Sequence, residues 1–247
     1  MRRTAALGLG LVAIFSATVV ARLPAKWLQP LLPAQVACSA PGGTIWRGSC
    51  ADLVAGGNAY GAVTWELHPL RLFIARLAAT VTLKKGSDLF AGEIDRGIGG
   101  RIRARDVDAT VDLANRLLPQ LPPTIRGRLR LELAGIDLAQ GRVNSIEGRI
   151  EVRDLAQSGT GTGALGSYEL VFEQSADATG QIIGKLRDLG GPLSVTGTVA
   201  LTPEPGYQID GLVAPTASTP PSLVKQLEFL GTPDATGRRP FSLAGTL

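Results

Sequence analysis

From Ala79 onward one short-range pattern dominates the chain, an apolar residue alternating with a charged or polar one. Ile102 and Ala104 sit between Arg101, Arg103 and Arg105; Leu129, Leu131 and Leu133 between Arg128, Arg130 and Glu132; Ile150 and Val152 between Arg149, Glu151 and Arg153. A period of two is that of an extended chain, whose successive side chains point to opposite faces. Each such segment has one oily and one charged face, as antiparallel strands with one solvated side require. The segments GRIRA, GRLRL and GRIEV, starting at Gly100, Gly127 and Gly148, share a weak unevenly spaced repeat and read as successive strands of one sheet. Val63, Trp65 and Leu67 alternate earlier; Ala79–Leu83, then Tyr168, Leu170 and Phe172, then Leu193, Val195, Val199 and Leu201 continue the theme. A hairpin turned at Pro205 and Gly206 and a last strand in PFSLAGTL complete it. Two stretches read as helix, Val111 to Gln120 and the Pro220-Pro221 start running to Gly231, and Pro69 opens a short apolar helix or turn through Ala75. The 31 glycines, 16 prolines and 5% aromatics suit short strands and turns. The expected fold is mainly β: a curved antiparallel sheet, open or sandwich-like, with two short helices, preceded by one N-terminal transmembrane helix.

That last element is the charge-free run Ala5–Ala21. As a helix its 17 residues reach about 26 Å, enough for a thin hydrocarbon core. Arg2 and Arg3 ahead of it favour a cytoplasmic N-terminus and place the body on the far side, in the periplasm of a bacterium. The rival reading is a cleaved signal peptide, with Val19, Val20 and Ala21 as a small-residue cleavage site. Arg22 to Pro33, with Lys26 and Trp27 just past the apolar run, reads as a membrane-interface segment or a simple linker. The expected organisation is 1–4 cytoplasmic, 5–21 anchor, 22–41 interfacial segment and linker, and 42–247 periplasmic β-rich domain.

Cys38 and Cys50 should pair in an oxidising compartment, and closing so short a loop contributes about 3 kcal/mol. The alternative, a metal or redox pair, lacks the Cys-x-x-Cys spacing and has only His68 to add. His68 falls on the polar face of the Trp65 strand. Gly161, Gly163 and Gly166 match Gly-x-Gly-x-x-Gly, but a strand-like SYELVFEQ follows where a phosphate site needs a helix, so the glycines read as a flexible loop. No Gly-x-Ser-x-Gly elbow and no multi-histidine set is present, so neither enzyme, cofactor nor metal is expected. The net charge of +4 is scattered, which argues weakly for anionic lipid surfaces and against nucleic acid as a partner.

A continuous oily sheet face must be covered by a second sheet or by helices, or be left as a trough for acyl chains or a partner's strand. In the second case Leu129, Leu131, Leu133, Ile150 and Val152 are the lipid-facing candidates.

Three clusters carry a family resemblance: Gly43, Thr44, Trp46 and Gly48; Trp65 and Pro69; and Gly231, Pro233, Asp234, Gly237, Pro240, Phe241, Leu243 and Gly245. Together with the single N-terminal apolar run, they resemble protein N of the bacterial type II (general) secretion system. The Trp-x-Leu-x-Pro-Leu motif from Trp65 is similar to that of the wider AsmA-like envelope proteins, some of which handle lipid. The resemblance implies a non-catalytic inner-membrane subunit that helps move folded exoproteins from periplasm to exterior, with platform and secretin subunits as partners and no active-site residues. The Cys38 and Cys50 pair lies outside the family pattern. Physically, Gly43 and Gly48 would permit turns, Trp46 and Trp65 would fill the core, and Phe241 and Leu243 would close a sheet edge, or leave one able to accept a partner's strand.

Overall fold

The computed structural model describes residues 15–16, 18–115, 122–159, 163–173, 181–202 and 206–246. The chain divides into two compact units, residues 1–86 and 87–247. Among the described residues there are fourteen strands, and every described strand pair is antiparallel. In both units the strands pair almost entirely in chain order, so most connections are short turns.

The first unit begins with helical residues up to Ala21 and a 3-10 helix, Ala25–Leu31. Most of the expected anchor, residues 5–14 and 17, lies outside the described residues; among those described, no helix is long and apolar enough to cross a membrane. Strands β1 (Val36–Ser39), β2 (Gly42–Gly43), β3 (Arg47–Ala55), β4 (Asn58–Leu67) and β5 (Arg76–Lys85) follow. Both β1 and β2 pair with β3, β3 pairs with β4, and β4 with β5. The alternation around Trp65 appears in the register, Val63 opposite Leu83, Trp65 opposite Val81 and Leu67 opposite Ala79. One helical turn, Pro69–Leu72, joins β4 to β5, with proline at its start where no backbone N–H is needed.

The second unit is a nine-strand meander: β6 (Asp88–Gly97), β7 (Ile102–Asp112), β8 (Ile125–Ala139), β9 (Arg142–Gln157), β10 (Gly163–Phe172), β11 (Ile182–Asp188), β12 (Leu193–Thr202), β13 (Gly206–Pro215) and β14 (Arg239–Thr246). Val107, Leu133, Ile146, Phe172 and Ile182 form its packed core, flanked by Phe90, Ile136, Ile150 and Leu170. A helix, Pro221–Leu227, sets Leu227 against Val195 and Val213.

Three local expectations need correction. Val111 and Asp112 end β7 and only Leu113–Asn115 turns as a 3-10 helix, because β-branched residues at the strand end continue the ladder to β8; residues 116–120 lie outside the described set. Gly127 and Gly148 do not start strands; they sit inside β8 and β9, beside breaks in the register. Those strands are 15 and 16 residues long, and glycine marks the irregular positions that let such long strands stay paired. Gly163 and Gly166, expected in a loop, belong to β10, where the register with β9 shifts on either side of Gly166; Gly161 lies outside the described residues.

Candidate interaction surfaces

In the first unit the family-like residues form a joint around the start of β3. Thr44 forms a bridge to Pro24, Ile45 N–H donates to the Leu23 carbonyl at 2.9 Å, and the Trp46 indole donates to the Val20 carbonyl at 2.8 Å. The Trp65 indole donates to the Ile45 carbonyl at 3.0 Å. Gly48 lies against the Trp65 ring, and a Cβ there would stand 2.8 Å from the Thr44 carbonyl oxygen, so the residue must be small. Gly43 pairs with Gly48 across β2 and β3. Trp46 and Trp65 are half-buried: their rings pack while their N–H groups tie the end of the N-terminal helix and the β2–β3 connection to the sheet. Arg47 Nε donates to Glu66 Oε1 at 2.9 Å on the adjoining strand.

Cys38 and Cys50 are joined by a disulfide with Cα atoms 5.6 Å apart. It borders a cavity of about 330 Å³ walled by Leu28, Leu32, Leu53, Val63, Trp65 and Leu77, among others. His68 follows β4 rather than lying within it, and its Nε2 is 3.1 Å from Thr80 Oγ1. Pro69 opens a connection in which Leu70, Phe73 and Ile74 are 79%, 87% and 63% exposed. Chain connections are usually polar, so five apolar side chains in PLRLFI were a signal that a reading as helix or turn did not use.

In the second unit the proposed lipid-facing residues share one face. Leu129 stands opposite Val152 and Leu131 opposite Ile150, all four half-buried, whereas Leu133, opposite Gly148, is buried in the packed core. The other face carries ionic rows. Glu169 is 1% exposed and lies between two arginines: Arg149 Nε is 3.1 Å from its Oε1, and Arg187 Nε donates to Oε2. The Arg187 hydrogen bond holds this carboxyl below the usual glutamate range, against burial and with help from the Arg149 charge. Asp137 accepts from Arg101 Nε at 2.7 Å and Arg103 Nε at 2.9 Å. Burial acts to raise its pKa, and the two arginines outweigh it and bring it down. Sequence alternation marks Asp137 and Glu169 as charged-face residues; it does not show that they become buried, since that depends on which arginines lie across the neighbouring strands.

The C-terminal motif residues build a loop and an edge strand. Asp234 accepts from Thr236 Oγ1 at 2.6 Å, from Thr236 N–H at 2.8 Å and from Arg238 N–H at 2.9 Å. Those donors, the Thr236 hydroxyl foremost, bring its pKa down to about 2. Gly231 follows the 3-10 turn, Pro233 precedes Asp234, and Gly237 N–H donates to the Asp234 carbonyl at 2.9 Å. In β14, Pro240 faces Leu212, Phe241 faces Gly211, Leu243 faces Ile209 and Gly245 faces Tyr207. Phe241 packs with the Val195–Val213–Leu227 cluster, while Leu243 is 56% exposed.

Among the described residues no group of three His, Cys, Asp or Glu side chains could hold a metal ion. The residues instead form structural joints, a paired polar face and a half-covered apolar face, an arrangement suited to contact.

Comparison with known proteins gives the family. The profile of the type II secretion system (T2SS) protein N family matches residues 34–242, a span that includes Gly43–Gly48, Trp65, both cysteines and the first half of β14. The chain is also 28% identical to the type II secretion system protein N of Vibrio cholerae serotype O1, with the full length of both chains covered. No solved structure matches the chain. On the extent of that profile match, the chain belongs to the type II secretion system protein N family.

Proposed function

We propose that this protein is a non-catalytic subunit of the type II secretion apparatus, anchored in the inner membrane through residues 5–21 with its strand-rich body in the periplasm. There it assists the export of folded exoproteins across the outer membrane and touches other subunits of the machine, the inner-membrane platform and the secretin. The family match over residues 34–242 carries this reading. The disulfide supports an oxidising compartment, and the edge strand β14 supports a role in binding. The test is deletion of the gene followed by assay of secreted enzymes in medium and periplasm. Accumulation in the periplasm, reversed by the intact gene, is expected; unchanged secretion would sink the proposal.

A second reading has one observation behind it. The half-buried row Leu129, Leu131, Ile150 and Val152 would suit contact with acyl chains. It predicts phospholipid copurifying with the protein, and its loss from a Leu129→Glu, Ile150→Glu variant that keeps its fold. Absence of stoichiometric lipid from the gently purified protein removes this reading.

A further inference from the structure

We infer that the connection Pro69–Ala75 dips into the interface of an anionic phospholipid bilayer, as a second membrane contact beside the N-terminal helix. The inference rests on the anchored reading above for its orientation. Three observations within the first unit carry it.

The first is exposure. Leu70, Phe73 and Ile74 are mostly solvent-exposed at one tip, with Leu72 and Leu77 44% and 49% exposed. Arg71 and Arg76 lie among them with no acidic residue between Leu67 and Lys85. Long cationic side chains can keep their heads at phosphate level while neighbouring apolar groups enter the acyl boundary.

The second is position. Val20 at the end of the helical residues accepts from the Trp46 indole, the Trp46 carbonyl accepts from Leu67 N–H at 2.7 Å, and His68 N–H donates to the Ala78 carbonyl at 2.9 Å. This series of bonds fixes the root of the apolar tip to the end of the N-terminal helix. The root of the tip therefore lies within a few bonded residues of Val20, where the proposed anchor ends. Lys26 and Trp27 are also exposed on the segment between them, the residue types that settle at the headgroup level.

The third is charge. Beyond the proposed anchor, residues 22–86 hold seven Lys and Arg against two Asp and Glu, whereas residues 87–247 hold sixteen against nineteen. The positive charge of the protein is therefore concentrated in the unit that carries the tip. A basic, apolar-tipped unit is complementary to anionic headgroups above acyl chains, whereas a protein partner would have to match both the charge excess and the bare phenyl and leucyl groups.

The experiment places the full chain in liposomes of phosphatidylethanolamine and phosphatidylglycerol with an environment-sensitive thiol label at Phe73→Cys or, as a second variant, Ile74→Cys. Both native cysteines are in the disulfide, so the label goes to the new thiol. Lys84→Cys, exposed at the opposite end of the β4–β5 hairpin, is the control. The expected result is a blue-shifted label at 73 and 74, quenched several-fold more by bromolipid than the label at 84, with iodide quenching in the reverse order. A label at 73 and 74 open to iodide and blind to bromolipid overturns the inference, and one shielded from both overturns it in favour of a second copy of the chain. Alkaline carbonate extraction of the same liposomes separates the two readings. A chain that resists extraction with a water-exposed tip keeps the anchor and loses the tip; a chain that is extracted although its tip was lipid-quenched loses the anchor and keeps the tip.

Discussion

Gly148 in β9 lies so close to Leu133 in β8 that a Cβ on the glycine would stand 2.6 Å from the Leu133 Cα. The Gly148 φ of 137° is one that side chains rarely adopt. Steric overlap and backbone strain act in the same direction here. Gly148→Ala is expected to destabilise the second unit by about 2–4 kcal/mol, read as a lower denaturation midpoint. Gly97→Ala, where the added carbon meets open space, should be near neutral.

Replacing Glu169 by Gln keeps its volume and removes the charge that Arg149 and Arg187 share. Both arginines are partly solvated, with side chains 48% and 62% exposed, so water screens much of the loss. A cost of about 1–3 kcal/mol is expected, dominated by the impaired buried hydrogen bonds. A double-mutant cycle of Glu169→Gln with Arg187→Gln checks it: additive effects would mean that the pair does not interact.

Glu169 and Asp137 also set an acid limit. Both carboxyls titrate lower in the folded protein than in the unfolded chain. The unfolded state therefore takes up protons first as pH falls. Their stabilisation is whole above the ordinary carboxylate range and drains as pH drops through that range toward their folded values. Urea midpoints should be flat from neutrality to about pH 5 and fall below it, with a shallower fall in Glu169→Gln.

The Cys38–Cys50 disulfide closes a loop across 12 residues. Reduction, or Cys38→Ser with Cys50→Ser, should cost the first unit about 3 kcal/mol by loop-closure entropy. Proteolysis with and without reductant should show the loss in residues 1–86, with the second unit unchanged.

Asp234 adds side-chain hydrogen bonds to the backbone bonds of its loop, through a carboxylate open to solvent. Asp234→Ala should speed amide exchange at Thr236 and Arg238 while leaving the global midpoint in place. The native loop should loosen only as pH approaches about 2, because its folded pKa is depressed and the bonds are lost with the carboxylate charge.

The strand pattern was readable because alternation is a local property, visible at Leu129–Leu133 and Ile150–Val152 without knowing the partners. Strand length was not. Gly127 and Gly148 look like punctuation in the sequence, and only the opposing strand shows that they are irregular positions within continuous strands. The Cys38–Cys50 pairing follows from compartment and spacing, whereas the bond from the Trp46 indole to Val20 joins residues 26 apart and has no sequence signature. Leu133 was grouped with Leu129 and Leu131 by periodicity, yet it alone is fully covered, because the packing of Phe172 and Ile182 against the Leu133 cluster is set by strand order.

The aligned irregularity of β7 and β8 has a consequence for how this sequence can change. Odd-numbered Leu129, Leu131 and Leu133 face the core, and beyond Ala134 and Gly135 it is even-numbered Ile136 that packs there while Asp137 turns to the arginines. Strand β7 changes step at the same level, with Val107 facing inward on one side of Asp106 and Ala104 on the other. The two strands thus keep a shared parity count, like a reading frame. Ala134 is the extra residue, so deleting it leaves Leu133, Gly135 and Ile136 in plain alternation, with Ile136 still on the oily side, whereas a single-residue deletion at Arg130 would put Leu129 on the charged side and Arg128 on the oily side, as a frameshift scrambles all beyond it. Single-residue insertions and deletions between Asp106 and Gly135 should be tolerated in the β7–β8 turn and at the irregular position Ala134, and should be disruptive within the regular alternation of Leu129–Leu133.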